Sequence, residues 1–237
     1  MKKFSIFRYD PYKDNKPYVC EYEIPSVEGW TVLSALNSIY ENMDHSLDYD
    51  HSCRSSLCGS CAMLINGIPM LACRTLLADM PDKIILRPLP YFKILKDLSV
   101  DTGIFFKAVD VEKHLWIHSA SEKDYSKTEE RYSDEEMTEV YELNRCIECG
   151  CCIAACATAN MNADFLGAAG LVKIARFIID PRDERTQTDW YEVIGTEDGI
   201  FGCTGLLACN DYCPKKIPIQ KTLAFIRRKM TLTGLLK

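Results

Sequence analysis

The cysteines constrain this chain more than any other feature of its sequence. Thirteen are present in 237 residues, and eleven of them fall into three closely spaced groups. These groups are Cys53, Cys58, Cys61 and Cys73; then Cys146, Cys149, Cys152 and Cys156; and finally Cys203, Cys209 and Cys213. Soft thiolate ligands suit iron and sulfide, so several of them on short stretches indicate metal clusters. The pattern predicts three redox centres and hence a path for electrons.

The first group has the spacing C-x4-C-x2-C…C, which is typical of plant-type [2Fe–2S] ferredoxins. Cys53, Cys58, Cys61 and Cys73 are therefore the predicted [2Fe–2S] ligands. Gly59 would let the backbone approach the sulfides, and the small serines of the loop would leave amide N–H groups free to face them. Cys73 follows a predicted hairpin that turns at Asn66-Gly67.

The second and third groups form one interleaved motif. In two-cluster bacterial ferredoxins the fourth cysteine of each C-x2-C-x2-C-x3-C run binds the other cluster. That rule gives a [4Fe–4S] cluster held by Cys146, Cys149, Cys152 and Cys213. The remaining three cysteines, Cys156, Cys203 and Cys209, then form the other site.

The third run lacks one ligand. Its middle position carries Leu206, and an aliphatic side chain cannot bind iron. The expected occupant is a [3Fe–4S] cluster, whose loss of one iron changes its charge and raises its potential. One alternative at this site is a [4Fe–4S] cluster with water or hydroxide as its fourth ligand.

Two other interpretations of the cysteines remain open. Disulfides are disfavoured because the chain carries no recognisable signal peptide and the spacing is close. Structural zinc prefers two C-x2-C pairs to a C-x2-C-x2-C run. Cys20 and Cys151 lie off the ligand spacing and are expected to be small buried residues rather than ligands.

Composition narrows the function classes. The net charge of −6 and the isoelectric point near 5.3 argue against nucleic acid as a partner. Free cysteines in this number need a reducing compartment, which places the chain in the cytoplasm. No stretch approaches 18 apolar residues, so no membrane span is expected.

Hydrophobic patterning predicts an α+β chain with two domains. Residues 1–104 should form a small mixed sheet crossed by a helix from Thr31 to Tyr40. Residues 105–237 should be mainly helical, with a polar linker at 121–132 and a capping box that opens a helix at Ser133. Further helices are expected near 149–155, 164–177, 206–212 and 218–231.

These motifs resemble the iron–sulfur subunits of succinate dehydrogenases and fumarate reductases, along nearly the whole chain. The matching segments are 53–63, 145–156, 167–171, 176–185 and 201–215. The resemblance implies an N-terminal β-grasp domain like plant-type ferredoxins and a C-terminal helical domain like bacterial ferredoxins. Segments 96–103, 146–152 and 198–203 are most similar to menaquinol:fumarate reductases with a dihaem cytochrome b anchor.

The chain departs from its relatives at three positions. Ubiquinone-type succinate dehydrogenases have a histidine and a tryptophan that help line the quinone pocket, where this chain has Thr204 and Met161. Entry of electrons through haem therefore fits better than direct contact with quinone. Ala157 replaces a common proline, which should affect packing more than ligation.

The resemblance also implies partners and an electron order. Electrons would pass from menaquinol to haem b of a membrane anchor, then through [3Fe–4S], [4Fe–4S] and [2Fe–2S] to FAD in a flavoprotein subunit. Fumarate would be reduced there, and the chain would sit peripherally on the cytoplasmic face of the inner membrane. The same subunit in a succinate dehydrogenase is one alternative, and a soluble multi-cluster ferredoxin module is a more distant one.

Overall fold

The computed structural model describes residues 1–103, 116–119 and 132–236, which divide into two compact units. The first unit comprises Met1–Ile104, Ile147–Ala155 and Tyr212–Pro214; the second comprises Phe105–Cys146, Cys156–Asp211 and Lys215–Lys237. The predicted boundary between residues 104 and 105 lies outside the described residues, as does nearly all of the predicted linker at 121–132. Two short segments that carry cysteines therefore belong with the N-terminal part of the chain.

A five-stranded mixed sheet forms the centre of the first unit. Its strands are β1 (Lys2–Arg8), β2 (Tyr18–Ile24), β3 (Ala62–Ile65), β4 (Ile68–Leu71) and β5 (Lys83–Arg87). Their order is β2-β1-β5-β3-β4, with β1 and β5 parallel and the other pairs antiparallel. The predicted turn joins β3 to β4, with positive φ at both Asn66 and Gly67, as a tight hairpin requires.

Helix α1 (Val32–Asn42) supplies one side of this unit's core. Thr31 caps it, because its side chain accepts a hydrogen bond from the amide of Ser34. Leu36 and Ile39 are fully buried, as are Phe4 and other sheet residues. Burial of each such side chain stabilises the fold by roughly 1.5–3 kcal/mol.

A second, two-stranded sheet consists of β6 (Lys93–Lys96) and β7 (Ser99–Asp101). The sequence did not predict it. An ion pair links its turn to β1, because the buried Arg8 guanidinium lies 3.1 Å from the Asp97 carboxylate. Arg8 also forms an ion pair with Asp44.

The rest of the described chain is helical. Its helices are α2 (Asp134–Asn144), α3 (Cys151–Ala154), α4 (Ala157–Met161), α5 (Gly167–Ile178), α6 (Gln187–Ile194), α7 (Ala208–Asp211) and α8 (Ile219–Leu235). Helix α3 belongs to the first unit and the others to the second. Two short 3-10 turns, Leu77–Asp79 and Ile200–Gly202, complete the secondary structure described.

Four of these helices pack into the core of the second unit: α5 contacts α2 and α8, and α8 also contacts α6. Leu171 and Ile174 on α5 and Ile226 and Met230 on α8 are fully buried. The predicted capping box is present at Ser133 and Glu136. The α+β fold class is confirmed. Within the described part of the chain, no helix has both the length and the apolar composition to cross a membrane.

Candidate functional site: three groups of cysteines

The first cysteine loop, Cys53–Cys61, joins the α1 region to β3 through unusual backbone conformations. Arg54, Ser56 and Gly59 have φ values of 57°, 61° and 77°. Left-handed residues alternating with ordinary ones turn successive amide N–H groups towards one side, which creates a concave surface suited to anions. The loop is therefore shaped by its backbone to hold negatively charged sulfur.

Cys53 shows the effect of this shape most directly. Its Sγ accepts hydrogen bonds from the amides of Ser55, Leu57 and Cys58, at 3.4, 3.2 and 3.3 Å. The amides of Ser55 and Leu57 contribute most to lowering the pKa of the Cys53 thiol, which falls to about 6. The sequence predicts loop amides that face sulfur, and the structure assigns three of them to one cysteine.

The other cysteines of the first group lie close by. The amide of Cys53 donates to Cys58 Sγ at 3.5 Å, and Ser60 Oγ lies 3.1 Å from the same sulfur. Cys61 is buried, and burial raises the pKa of its thiol to about 12; it shares a hydrogen bond with Cys73. The structure thus brings all four predicted [2Fe–2S] ligands together at one end of the sheet.

A second cluster of thiols lies in the same unit, around α3. Cys151 is fully buried and interacts electrostatically with Cys149, Cys152 and Cys213. Cys213, from much later in the chain, therefore lies with two of the three cysteines to which the interleaving rule assigns it. Cys146 follows α2 in the second unit, and its place as the fourth ligand stays a prediction.

Cys151 has a contact that spacing could not predict. Its thiol donates a hydrogen bond to Cys149, and this bond is the main cause that lowers the pKa of the Cys149 thiol. The burial expected of Cys151 is confirmed, whereas Cys20 on β2 is only half-buried. A cysteine between two predicted ligands was the one signal in the sequence that could have pointed to this contact.

The third group lies in the second unit. Cys209 is buried, which raises the pKa of its thiol to about 11, and it interacts electrostatically with Cys156 and Cys203. Leu206, in the loop between Cys203 and Cys209, has 70% of its surface exposed. The structure therefore gathers three thiols here, while the leucine at the middle position faces outwards.

Side chains from helices α4 and α8 hydrogen-bond to the backbone at and just before Cys203. Arg227 on α8 donates to the carbonyl of Ile200 at 3.1 Å and also to that of Cys203. Thr158 on α4 donates to the carbonyl of Gly202 at 3.3 Å. These two positioning residues were not apparent from the sequence, because neither belongs to a cysteine motif.

The donor chemistry fits iron–sulfur clusters. Each group of cysteines offers thiols, which are the ligands that such clusters use. Each group is also at least partly buried. Among the residues that the structure describes, no three His, Cys, Asp or Glu side chains meet closely enough to hold a lone metal ion.

Family models match both halves of the chain. A 2Fe–2S iron–sulfur cluster binding domain matches residues 3–107, and a 4Fe–4S dicluster domain matches residues 142–217. These matches confirm a 2Fe–2S domain followed by a 4Fe–4S domain. The two stretches contain all eleven cysteines of the three groups.

Curated relatives match almost the full length. The fumarate reductase iron–sulfur subunit of Wolinella succinogenes is 53% identical over 232 residues, with 97% of each chain covered. The equivalent subunit of Escherichia coli O157:H7 is 32% identical, covering 91% of this chain and 87% of its own. The succinate dehydrogenase iron–sulfur subunit of Coxiella burnetii is 34% identical, with 96% of each chain covered.

Among solved structures, a chain of the Mycobacterium smegmatis Sdh1 complex has the same fold. Its TM-score is 0.87 over 98% of this chain and 96% of that one, at 21% identity. The cysteine groups, the two domain models and the near-full-length relatives agree, and this chain belongs to the family of iron–sulfur subunits of fumarate reductases and succinate dehydrogenases.

Proposed function

We propose that this chain is the electron-transfer subunit of a membrane-bound quinol:fumarate reductase. The observation that carries the proposal is the 53% identity to the Wolinella succinogenes fumarate reductase subunit along 97% of both chains. In this role the chain binds no substrate itself. It connects an anchor that oxidises menaquinol to a flavoprotein subunit in which FAD reduces fumarate to succinate.

The proposed ligands follow the three thiol gatherings. Cys53, Cys58, Cys61 and Cys73 hold the [2Fe–2S] cluster, and Cys146, Cys149, Cys152 and Cys213 hold the [4Fe–4S] cluster. Cys156, Cys203 and Cys209 hold a [3Fe–4S] cluster, since Leu206 offers no ligand. Each cluster, when bound, supplies a centre that accepts and returns one electron.

The protein's own groups influence the reduction potentials of these centres. Amides that donate to Cys53 stabilise negative charge on its sulfur and thereby favour the reduced form. Burial around Cys209 and Cys213 excludes water, and low polarity disfavours added negative charge. The two environments therefore act on potential in opposite directions.

The proposed anchor is a dihaem cytochrome b, and the proposed location is the cytoplasmic face of the inner membrane. Two positions support entry of electrons through haem. Met161 has 81% of its surface exposed and Thr204 is also exposed, where ubiquinone-linked relatives carry aromatic quinone-pocket residues. Neither side chain offers the aromatic surface of those residues.

A second candidate function is the same subunit in a succinate dehydrogenase. The observation in its favour is the 34% identity to the Coxiella burnetii succinate dehydrogenase subunit across 96% of both chains. Electron flow along such a path is reversible, so the quinone potential and the partner subunits decide its direction.

The test is purification of the tagged chain from native membranes in mild detergent. The expected result is a co-purifying flavoprotein, a b-type haem signal in the reduced-minus-oxidised spectrum, and fumarate reduction driven by a menaquinol analogue. A flavoprotein without haem would contradict the proposed anchor. A monomer that carries clusters but no partner would favour the soluble ferredoxin module.

A further inference from the structure

The first cysteine loop touches the second cysteine run inside the first unit, and Gly59 makes the contact. Gly59 has a φ of +77°, and a Cβ added there would lie 2.5 Å from the Ile147 carbonyl oxygen and 2.9 Å from Cys149 Cβ. Backbone atoms cannot move aside cheaply, so no larger residue fits. Besides any approach to sulfide, this glycine lets the loop lie directly against Cys149.

A second contact joins the same two regions. Arg74 directly follows Cys73, and its Nη1 donates to the carbonyl oxygen of Pro214 at 3.0 Å. Pro214 directly follows Cys213. Each contact therefore links the immediate neighbour of a [2Fe–2S] ligand to a [4Fe–4S] ligand or to the neighbour of one.

We propose that Gly59 and Arg74 are positioning residues that set the electronic coupling between these two ligand sets, with the Gly59 backbone as the route. This inference rests on the ligands assigned under the proposed function. From Cys149 the route crosses a through-space gap to Gly59 that is too narrow for an added methyl group, and then one peptide bond to Cys58. Tunnelling weakens steeply as a through-space gap widens, so a close backbone contact favours transfer.

The transfer itself is simple to balance. One electron leaves the side that includes Cys149 and arrives at the side that includes Cys58. The first side is oxidised and the second reduced by one electron, and no bond forms or breaks. The protein's contribution is to fix the distance across which the electron passes.

The test compares two left-handed glycines of the same unit. Gly59→Ala adds a methyl group where the Ile147 carbonyl already lies. Gly67→Ala is the matched control: its φ is +82°, so the backbone strain is similar, but nothing lies within 4 Å of the added atom. Both variants are made in the full chain, expressed with its partners and loaded with clusters.

The readout is magnetic rather than catalytic. A reduced [4Fe–4S] cluster speeds the spin relaxation of a nearby reduced [2Fe–2S] cluster, and the effect falls steeply with distance. We expect the microwave power that half-saturates the [2Fe–2S] EPR signal to fall several-fold in Gly59→Ala and to stay unchanged in Gly67→Ala. Equal values in all three proteins, or equal falls in both variants, would overturn the inference.

A second pair of variants tests the inference if Gly59→Ala fails to load its clusters. Arg74→Met removes the bond to Pro214, whereas Arg87→Met changes an exposed arginine on β5. A several-fold fall in half-saturation power for Arg74→Met alone supports the inference, and no difference between them overturns it. Absence of either cluster from the unaltered chain would instead overturn the ligand assignment, and the inference with it.

Discussion

The first cysteine loop and the buried thiols around α3 and α7 reach similar chemistry by different means. In the loop, amides of Ser55, Leu57 and Cys58 surround the sulfur of Cys53, all within one short segment. Around α3 and α7, Cys209 and Cys213 are buried and meet thiols from distant parts of the chain. A local backbone shape makes the first site, whereas tertiary packing makes the others. A substitution that removes the cluster from one kind of site should therefore leave the cluster at the other kind in place.

The largest expected effect is the loss of one cluster from a variant that keeps another. In Cys213→Ala the [4Fe–4S] Mössbauer spectrum should disappear, because the variant lacks one of the four proposed ligands. The [2Fe–2S] spectrum should persist, since its four cysteines and their amide donors are untouched. Mössbauer spectra and iron content of the purified variant measure both outcomes.

Cys20→Ala is the control for that variant. Cys20 lies half-buried on β2 and belongs to none of the three groups, so every cluster should be retained. Retention of [4Fe–4S] with loss of the three-iron signal in Cys213→Ala would show that the interleaving assignment is reversed.

A smaller effect changes one cluster without removing it. Leu206→Cys places a thiol at the missing ligand position, on an exposed part of the loop that can accept it. The proposed three-iron cluster should become a four-iron cluster, so the EPR signal of the oxidised protein disappears and quinol-linked turnover slows. Leu206→Ala should keep that signal. A Leu206→Cys protein with an unchanged oxidised signal would argue against a three-cysteine site.

The smallest effect leaves the sequence unaltered and concerns thiol reactivity once the clusters are removed. Amide donors hold the pKa of Cys53 at about 6, while burial holds that of Cys209 at about 11. The thiolate is the nucleophile, so at neutral pH iodoacetamide should label Cys53 much faster than Cys209. As pH falls through about 6, Cys53 gains its proton and its labelling slows.

Peptide mass spectrometry after timed labelling measures that difference across pH. Cys61 is an internal control: it lies on the same loop as Cys53, but burial raises its pKa to about 12. Labelling of all three at one rate near neutral pH would mean that the amide donors and the burial disappear with the clusters.

Local signals in the sequence predicted much of the fold. Helix α1 with its Thr31 cap, the β3–β4 hairpin and the Ser133 capping box all depend on neighbouring residues, and all are present. Helix α6 went unpredicted although Thr186 and Asp189 form a capping box at its start. The β6–β7 hairpin lacked such a signal, because its turn carries Asp97 at a φ of 47° rather than a glycine.

The residues of the candidate sites also divide into those that local sequence signals predicted and those that they did not. Cysteine spacing was sufficient to propose ligands, since spacing reflects how a short loop can surround a cluster. Arg74, Arg227 and the Cys151 thiol act through partners far away or through side-chain direction, which spacing does not encode. The steric need for Gly59 likewise depends on Ile147, which the sequence alone does not place beside it.

The segment Tyr212–Pro214 has a consequence for how the protein is made. It belongs to the first unit, although it leaves the ribosome after the other two segments of that unit, Met1–Ile104 and Ile147–Ala155. Chains generally begin to fold from the N-terminus during synthesis. Cys53 to Cys73 are available to the cell's cluster-assembly machinery early, whereas the site proposed to include Cys213 must wait until that later segment has been made. The order of synthesis thus imposes an order of maturation, and a chain cut before Cys203 would hold only the first of the proposed cofactors.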